Sequence, residues 1–220
     1  MMNDNCKLLI LPEIFGVNEQ IMEIGAEFNQ RFGIATSVLD YLYAVANTSV
    51  NYDFTDWMEA VTFLRNLQPQ AFINFLKSEL DRHEKEGFTN FIILGFCMGG
   101  GLAYLTGIDP RVNGIISFYG TRADQLFYNN QSNLDNLVQN RPNDECLKVL
   151  SFFGAKDSST PEQYQNLIQQ TLQTARIDYT EIVYPDADHA FMNHRRPERF
   201  NPEAKEKAML EIEKFLNQLI

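Results

Sequence analysis

The stretch Gly95-Phe96-Cys97-Met98-Gly99 joins a short apolar run to a run of helix-forming residues. The apolar run, Phe91–Leu94, predicts a buried strand, and Leu102–Leu105 predicts the helix that follows the glycines. The one candidate nucleophile between them is the sulfur of Cys97, in the strand–turn–helix pattern of a nucleophile elbow with Cys in place of Ser. So tight a turn leaves no space for side chains two residues before and after the nucleophile, which accounts for Gly95 and Gly99.

The elbow pattern has two interpretations when it is considered alone. A helix N-terminus favours the anionic thiolate, so Cys97 could act as a nucleophile there. A buried structural cysteine beside a glycine-rich turn would have the same sequence pattern. The remainder of the chain has to decide between these interpretations.

Composition and charge limit the classes of protein to be considered. The chain has 220 residues with 45% hydrophobic and 21% charged residues, so we expect residues 1–220 to form a single α/β domain. The net charge of −11 and the absence of a Lys/Arg-rich run argue against a nucleic-acid partner. No apolar run approaches the roughly 20 residues that span a bilayer, so we expect a soluble cytoplasmic protein with no membrane partner.

The three cysteines do not form a disulfide or metal pattern. Cys6, Cys97 and Cys146 include neither a C-x-x-C pair nor an even set. Cys6 and Cys146 precede apolar runs and are expected to be inert thiols at the edge of the core. We predict no metal and no cofactor.

Apolar strands alternate with amphipathic helices along the chain. This alternation predicts a three-layer sandwich, in which a mostly parallel sheet of about six or more strands has helices on both faces. The region from Ala44 to Thr55 is predicted to be a loop over the site. The region from Thr121 to Glu145 is either a lid-like excursion or one poorly amphipathic helix with loops. The predicted strands are Lys7–Leu11, Ile34–Leu39, Phe91–Leu94, Val112–Phe118, Leu147–Phe153 and Tyr179–Tyr184.

Four chemically capable residues follow the ends of separate predicted strands. These residues are Glu13, Cys97, Asp157 and His189. Because the carboxyl ends of parallel strands meet at one edge of the sheet, we expect the four side chains to converge. The order nucleophile, acid, histidine along the chain is the order expected for a hydrolase triad on this kind of sheet.

Each member of the predicted triad has a chemical role. His189 takes the thiol proton of Cys97, and the Asp157 carboxylate orients the imidazole. The backbone amides of Met98, next to the nucleophile, and of Ile14, after the first strand, are predicted to hold the oxyanion.

Competing residues exist for the acid and for the histidine. Asp186 and Asp188 are alternatives to Asp157, but both lie on the same turn as His189 and are too local to reach its ring in the usual way. His83 and His194 are expected to be solvated surface residues.

Five motifs together resemble the dienelactone hydrolase family, which has the α/β-hydrolase fold. They are Pro12-Glu13-Ile14-Phe15-Gly16-Val17-Asn18, Gly95-Phe96-Cys97-Met98-Gly99-Gly100, Phe118-Tyr119-Gly120, Gly154-Ala155-Lys156-Asp157 and His189-Ala190-Phe191. The resemblance implies a triad of Cys97, Asp157 and His189. It also implies that Glu13 pairs with the resting thiol and helps to take its proton. Phe15, Tyr119 and Phe191 fall at positions that imply substrate binding.

The chain departs from the family at the positions of its carboxylate-binding arginines. The position four residues after the histidine is Asn193, and the segment from Tyr43 to Phe63 contains no Arg or Lys. Arg195 and Arg196 could substitute or could be surface residues. We therefore expect neutral esters and lactones to be preferred over anionic ones by at least about tenfold in kcat/KM.

The predicted activity is cofactor-free hydrolysis of a small carboxylic ester or lactone through a thioester on Cys97. A thioesterase or another acyl transferase on the same triad is one alternative. A catalytically idle small-molecule binding protein is another. The expected partner is a small-molecule substrate, and the chain could be a monomer or a homodimer.

Overall fold

A parallel six-stranded sheet forms the centre of the molecule. The computed structural model describes residues 5–43, 53, 56–64, 67–142 and 147–219. The sheet has the order β2-β1-β3-β4-β7-β8, and every neighbouring pair is parallel. Its strands are β1 (Cys6–Leu11), β2 (Ala35–Val38), β3 (Asn90–Phe96), β4 (Val112–Phe118), β7 (Lys148–Gly154) and β8 (Asp178–Tyr184).

Seven helices in the described residues connect and cover these strands. They are α1 (Glu19–Phe32), α2 (Trp57–Leu64), α3 (Pro69–Lys85), α4 (Met98–Thr106), α5 (Asn133–Asn140), α6 (Glu162–Thr174) and α7 (Pro202–Leu216). One buried apolar cluster combines sheet residues with α3, α4 and α6, and the other combines them with α1 and α7. Helices therefore cover both faces, and the predicted three-layer α/β-hydrolase architecture is confirmed.

Strand order places two of the predicted site residues, Glu13 and Cys97, where the winding of the sheet reverses. The chain passes from β1 outward to β2 and then back across β1 to β3, so the direction of winding reverses between β1 and β3. Ligands of such sheets bind where the winding reverses, outside the carboxyl ends of the strands. Glu13 follows β1 and Cys97 follows β3, so both residues lie at this position.

Local sequence signals explain several of the helix ends. Asn18 and Asn201 accept hydrogen bonds from the backbone of Ile21 and Ala204, as N-caps should. Gly33 ends α1 in the left-handed conformation at φ 62°. Thr160 does not cap α6, because the helix begins at Glu162 and the Thr160 hydroxyl instead donates to Asp157 at 2.8 Å.

The segment after β4 contains more structure than its sequence pattern indicates. It forms a small antiparallel hairpin, β5 (Leu126–Tyr128) with β6 (Gln131–Ser132), followed by α5. Ser132 and Asp135 form a reciprocal capping box at the start of α5. The loop predicted over the site, Ala44–Thr55, lies almost wholly outside the described residues, as does Cys146.

His83 corrects one sequence expectation, because its side chain is fully buried rather than solvated. It continues the apolar face of α3 formed by Phe72, Leu76 and Leu80, which a helix places on one side. Its Nδ1 lies 2.9 Å from Lys7 Nζ and 2.8 Å from a Glu86 carboxylate oxygen, so its burial is accompanied by polar partners. His194 is exposed, as expected.

In the part of the chain that the structure describes, no helix has the length and apolar character needed to cross a membrane.

Candidate active site

Cys97 occupies the turn between β3 and α4 in a strained backbone conformation. Its φ of 53° and ψ of −118° lie in a region that side chains rarely adopt. A Cβ on Gly95 would lie 2.2 Å from the Gly99 carbonyl oxygen, and a Cβ on Gly99 would lie 2.4 Å from the Leu11 carbonyl oxygen. Real Cβ atoms do not approach backbone that closely, so the predicted need for both glycines is confirmed.

Asp157 and His189 form a direct side-chain contact. His189 Nδ1 lies 2.7 Å from Asp157 Oδ2, which also accepts a hydrogen bond from the Thr160 hydroxyl. The second carboxylate oxygen of Asp157 accepts from the Ser159 amide at 2.7 Å. Both oxygens are thus held by fixed donors, and the carboxylate is positioned to orient the imidazole.

The two competing aspartates bind other groups. Asp188 accepts from the backbone amide of His189 at 2.7 Å and pairs with Arg199. Asp186 pairs with Lys156 at 3.0 Å on the surface. Neither carboxylate contacts the His189 ring among the described interactions, so the structure brings Asp157 and not its competitors to the imidazole.

The charges around His189 favour its protonated form. Burial alone would lower the pKa of His189, but the charge of Cys97 and the hydrogen bonds to Asp157 and Cys97 raise it well above its usual range. Burial acts to raise the pKa of Asp157, yet the hydrogen bonds from His189, Thr160 and Ser159 hold it below the usual range. Both shifts favour an ionised Asp157–His189 pair beside the sulfur.

Glu13 is buried next to this pair but is bound to a different partner. Its Oε1 accepts a hydrogen bond from the Tyr119 hydroxyl at 3.2 Å. Burial raises the pKa of Glu13, and the positive charges of His189 and Arg196 oppose this rise only in part. The carboxylate is therefore a candidate proton acceptor whose charged form is costly in this position.

A cavity of about 460 Å³ opens over Cys97 and His189. Ile14 and Met98, whose amides are the predicted oxyanion donors, line the same cavity. Its apolar wall comes from Trp57, Val61, Pro161 and Tyr164. A cavity of this volume matches the size range of small-molecule sites.

The three residues predicted to bind substrate lie in the core rather than in the cavity wall. Phe15, Tyr119 and Phe191 are buried, and none belongs to the described residues that line the cavity. Tyr119 instead contacts two residues of the site. Its ring centroid lies 4.9 Å from that of His189, and its hydroxyl donates a hydrogen bond to Glu13. Phe191 packs edge-on to Tyr119 at 5.3 Å and supports that position.

The two arginines considered from the sequence form ion pairs outside the described lining of the cavity. Arg195 pairs with Glu19 and Glu23 on α1, and Arg196 pairs with Glu198. Neither of them lines the cavity. Asn193, at the position of the family arginine, is fully buried.

Sequence reasoning missed Arg122, which is the only arginine or lysine among the described residues that line the cavity. Its side chain is exposed and has no ion-pair partner in the described part of the chain. The Tyr164 hydroxyl fixes the backbone on either side, accepting from the Ala123 amide at 3.0 Å and donating to the Gly120 carbonyl at 2.9 Å. The signal was available, because Arg122 follows β4 at the edge where the other site residues converge.

No cluster of three or more His, Cys, Asp or Glu side chains that could hold a metal ion occurs within the described ranges.

Comparisons with known proteins match almost the whole chain to one family. The family model described as the dienelactone hydrolase family matches residues 5–220. A Yersinia pestis protein provisionally named carboxymethylenebutenolidase is 28% identical over 195 residues, which cover 86% of this chain and 70% of that protein. A Synechocystis protein with the same provisional name is 24% identical, over 94% of this chain and 84% of that protein.

The solved structures show the same fold. A Klebsiella pneumoniae protein provisionally described as a dienelactone hydrolase superposes with a TM-score of 0.77 at 22% identity, covering 96% of this chain and 86% of that one. The esterase Est2 from Thermogutta terrifontis superposes with a TM-score of 0.65 at 16% identity, covering 99% of this chain and 82% of the esterase.

Proposed function

This chain belongs to the dienelactone hydrolase family and is a hydrolase of ester or lactone bonds, and we propose that it works through a triad of Cys97, His189 and Asp157. The observation that carries the proposal is the 2.7 Å contact between His189 and Asp157, at the wall of the cavity that also exposes Cys97 on its strained turn. A binding protein without catalysis would need neither the strained cysteine nor the oriented imidazole.

The first half of the reaction forms a thioester. The Cys97 proton passes to His189, and the sulfur adds to the carbonyl carbon of the substrate. The carbonyl electron pair moves to oxygen, where the amides of Ile14 and Met98 are the proposed donors. The pair then returns, the bond to the alcohol oxygen breaks, and His189 gives its proton to that oxygen.

The second half releases the acid and restores the thiol. His189 takes a proton from water, and the resulting hydroxide adds to the thioester carbon. The C–S bond then breaks, and His189 returns the proton to the sulfur. Asp157 stays ionised throughout and holds the imidazole in the required tautomer.

We assign Glu13 the role of an auxiliary proton acceptor for the resting thiol. Its position beside His189 and its raised pKa, which burial causes, support this role. In the structure its carboxylate is held by Tyr119, so pairing with Cys97 requires the Glu13 side chain to rotate.

Arg122 changes the expected substrate charge. The expectation of a preference for neutral substrates rested on the lack of a cation at the site, and Arg122 supplies one at the cavity wall. A guanidinium without an ion-pair partner can bind a substrate carboxylate through two parallel hydrogen bonds. We therefore include anionic lactones in the proposed substrate class.

The test is a panel of lactones, aryl esters and thioesters, in which a carboxylated lactone is paired with its methyl ester. We expect the parent to hydrolyse members of the panel and Cys97→Ala to be inactive while keeping its circular dichroism spectrum. Mass spectrometry after a slow substrate should find the acyl group on Cys97.

The matched control is Cys6→Ala, because Cys6 is a buried thiol away from the cavity, and burial raises its pKa to about 11. This variant should retain parent activity. An acyl adduct on Cys6 or Cys146, or undiminished hydrolysis by Cys97→Ala, would show that the nucleophile is wrongly assigned. A preference for thioesters would favour the alternative thioesterase activity.

A further inference from the structure

The cavity-wall loop (residues 120–125), which follows β4, carries two opposite charges into the wall of the cavity. Arg122 and Asp124 lie two residues apart, both are exposed, and both line the cavity that holds Cys97 and His189. A guanidinium attracts a substrate carboxylate, whereas a second carboxylate repels it. The conformation of this loop therefore decides which charge a substrate meets.

Arg122 has a backbone conformation that residues with a side chain rarely adopt. Its φ of 62° lies in the left-handed region. Such conformations cost energy, persist only where surrounding contacts impose them, and are concentrated at active sites and ligand clamps. The conformation of Arg122 therefore requires contacts on both sides of it that hold the chain in place.

One tyrosine supplies contacts on both sides of Arg122. The Tyr164 hydroxyl, on α6, accepts a hydrogen bond from the Ala123 amide at 3.0 Å and donates one to the Gly120 carbonyl at 2.9 Å. Its proton and a lone pair are thus used on the two residues that enclose Thr121 and Arg122. Both hydrogen bonds are buried, so water does not compete for either of them.

The start of the cavity-wall loop is also fixed against the elbow. The Thr121 amide donates to the Cys97 carbonyl at 3.0 Å. A Cβ on Gly100 would lie 2.8 Å from the Gly120 Cα, so α4 packs directly against the backbone at the start of the loop. The loop therefore has a rigid base, and Tyr164 holds the turn above it, in which Arg122 lies.

We propose that Tyr164 is a positioning residue for Arg122, and that its two hydrogen bonds set the selectivity of the cavity for substrates that carry a carboxylate. With both bonds in place, Arg122 rather than Asp124 is presented to the substrate carboxylate. Without them, the strained backbone relaxes and the guanidinium loses its fixed position. This inference rests on the proposed function, because it names the residue that gives the proposed anionic lactones their binding group.

The test measures kcat and KM for a carboxylated lactone and for its methyl ester, and it compares Tyr164→Phe with Tyr104→Phe. Phenylalanine keeps the ring in the cavity wall and removes only the hydroxyl. Tyr104 is the matched control because it is also a buried tyrosine, whereas its hydroxyl bonds Ser151 at 2.8 Å and not the cavity-wall loop. Circular dichroism and thermal unfolding check that the variants fold.

The deciding quantity is the charge selectivity, which is kcat/KM for the carboxylated lactone divided by kcat/KM for its methyl ester. Tyr164→Phe should lower the charge selectivity by at least about tenfold, mainly through a higher KM for the carboxylated lactone, because the lost contact serves binding. Arg122→Ala should lower it by a similar factor. The double variant should lose no more than Arg122→Ala alone, because Tyr164 acts through Arg122. Tyr104→Phe should keep the parent value.

Equal losses for the two substrates in Tyr164→Phe would overturn the proposal, because the hydroxyl would then support only the elbow. Multiplied losses in the double variant would overturn it too, because Tyr164 and Arg122 would then act independently. Arg122 is exposed, so we expect Arg122→Ala to fold. An unchanged charge selectivity in that variant overturns the proposal even if Tyr164→Phe does not fold.

Hydrolysis of the methyl ester by the parent, together with an inactive Cys97→Ala, keeps the proposed function intact whatever the charge selectivity of the Tyr164 and Arg122 variants. If the parent hydrolyses neither lactone nor any other member of the ester panel, the proposed function fails, and the positioning role of Tyr164 fails with it.

Discussion

Asp157 and Asp188 show how the surroundings of a carboxylate decide what it can do. Both residues lie near His189, but Asp157 accepts from the ring nitrogen and Asp188 accepts from the backbone amide. A carboxylate on the ring can select a tautomer and stabilise an imidazolium, whereas one on the amide can only shape the turn. The Thr160 hydroxyl donates to Asp157 and fixes its position.

We predict that Asp157→Asn lowers kcat by about 10⁴-fold while leaving the fold intact, because the amide favours the wrong tautomer of His189. Steady-state kinetics on a substrate of the parent measure this loss. Asp188→Asn is the matched control, since it makes the same chemical change one residue from His189 without touching the ring. A larger loss in Asp188→Asn than in Asp157→Asn would show that the acid is wrongly assigned.

At the scale of elements, the turn from β3 into α4 is fixed by contacts of glycines with neighbouring backbone. Gly101, one turn into α4, approaches the loop that carries Arg122, and a Cβ there would lie 1.8 Å from the Thr121 carbonyl oxygen. The Thr121 amide in turn donates to the Cys97 carbonyl at 3.0 Å. The helix, the elbow and the cavity wall therefore depend on the same close approach.

Gly101→Ala should destabilise the protein by about 1–3 kcal/mol, because a backbone oxygen has to move to admit the methyl group. Gly25→Ala in α1 is the control, since its nearest contact would be an ordinary 3.5 Å from Ile10 Cδ1. That variant should gain up to about 1 kcal/mol from helix propensity. Urea unfolding measures the free energy of unfolding of both variants. Equal values for the two variants would contradict the packing argument.

At the scale of the whole molecule, the fold holds an acidic side chain in its interior while the chain already carries a net charge of −11. Glu13 follows β1 at the carboxyl edge of the sheet, and its side chain is buried. Its pKa is raised because burial removes water from the carboxylate. Below the pKa that Glu13 has in the unfolded chain, its carboxyl is protonated in both the folded and the unfolded state and does not lower stability. At higher pH the unfolded chain carries a solvated carboxylate, whereas the folded state has to bury the charge, so the free energy of unfolding falls.

We therefore predict that Glu13→Gln raises the free energy of unfolding at neutral pH, and that this advantage disappears as the pH falls below about 4.5. Glutamine can still accept the hydrogen bond from Tyr119. The control is Glu213→Gln on the exposed face of α7, which makes the same change in net charge and should alter stability by less than about 0.5 kcal/mol. Urea titrations from pH 4 to pH 8 measure both variants, and an advantage independent of pH would contradict the assignment of the shift.

The sequence by itself determined the architecture and the family. Apolar strands alternating with amphipathic helices dictate a parallel sheet with two covered faces, and the glycines around Cys97 identify a tight elbow. These features can be recognised in the sequence because they depend on the local periodicity of apolar residues and on positions where the backbone leaves no room for a side chain. The order of strand ends along the chain was also enough to predict that Glu13, Cys97, Asp157 and His189 share one edge.

Only the tertiary structure decided which side chains touch. The burial of His83 beside Lys7, the contact of Asp157 with His189 and the cavity position of Arg122 depend on contacts between segments distant in the chain. Sequence periodicity specifies which face of an element is buried, but it does not specify the neighbour that the face meets. Partners are set when the elements pack, because only then do distances and burial become defined.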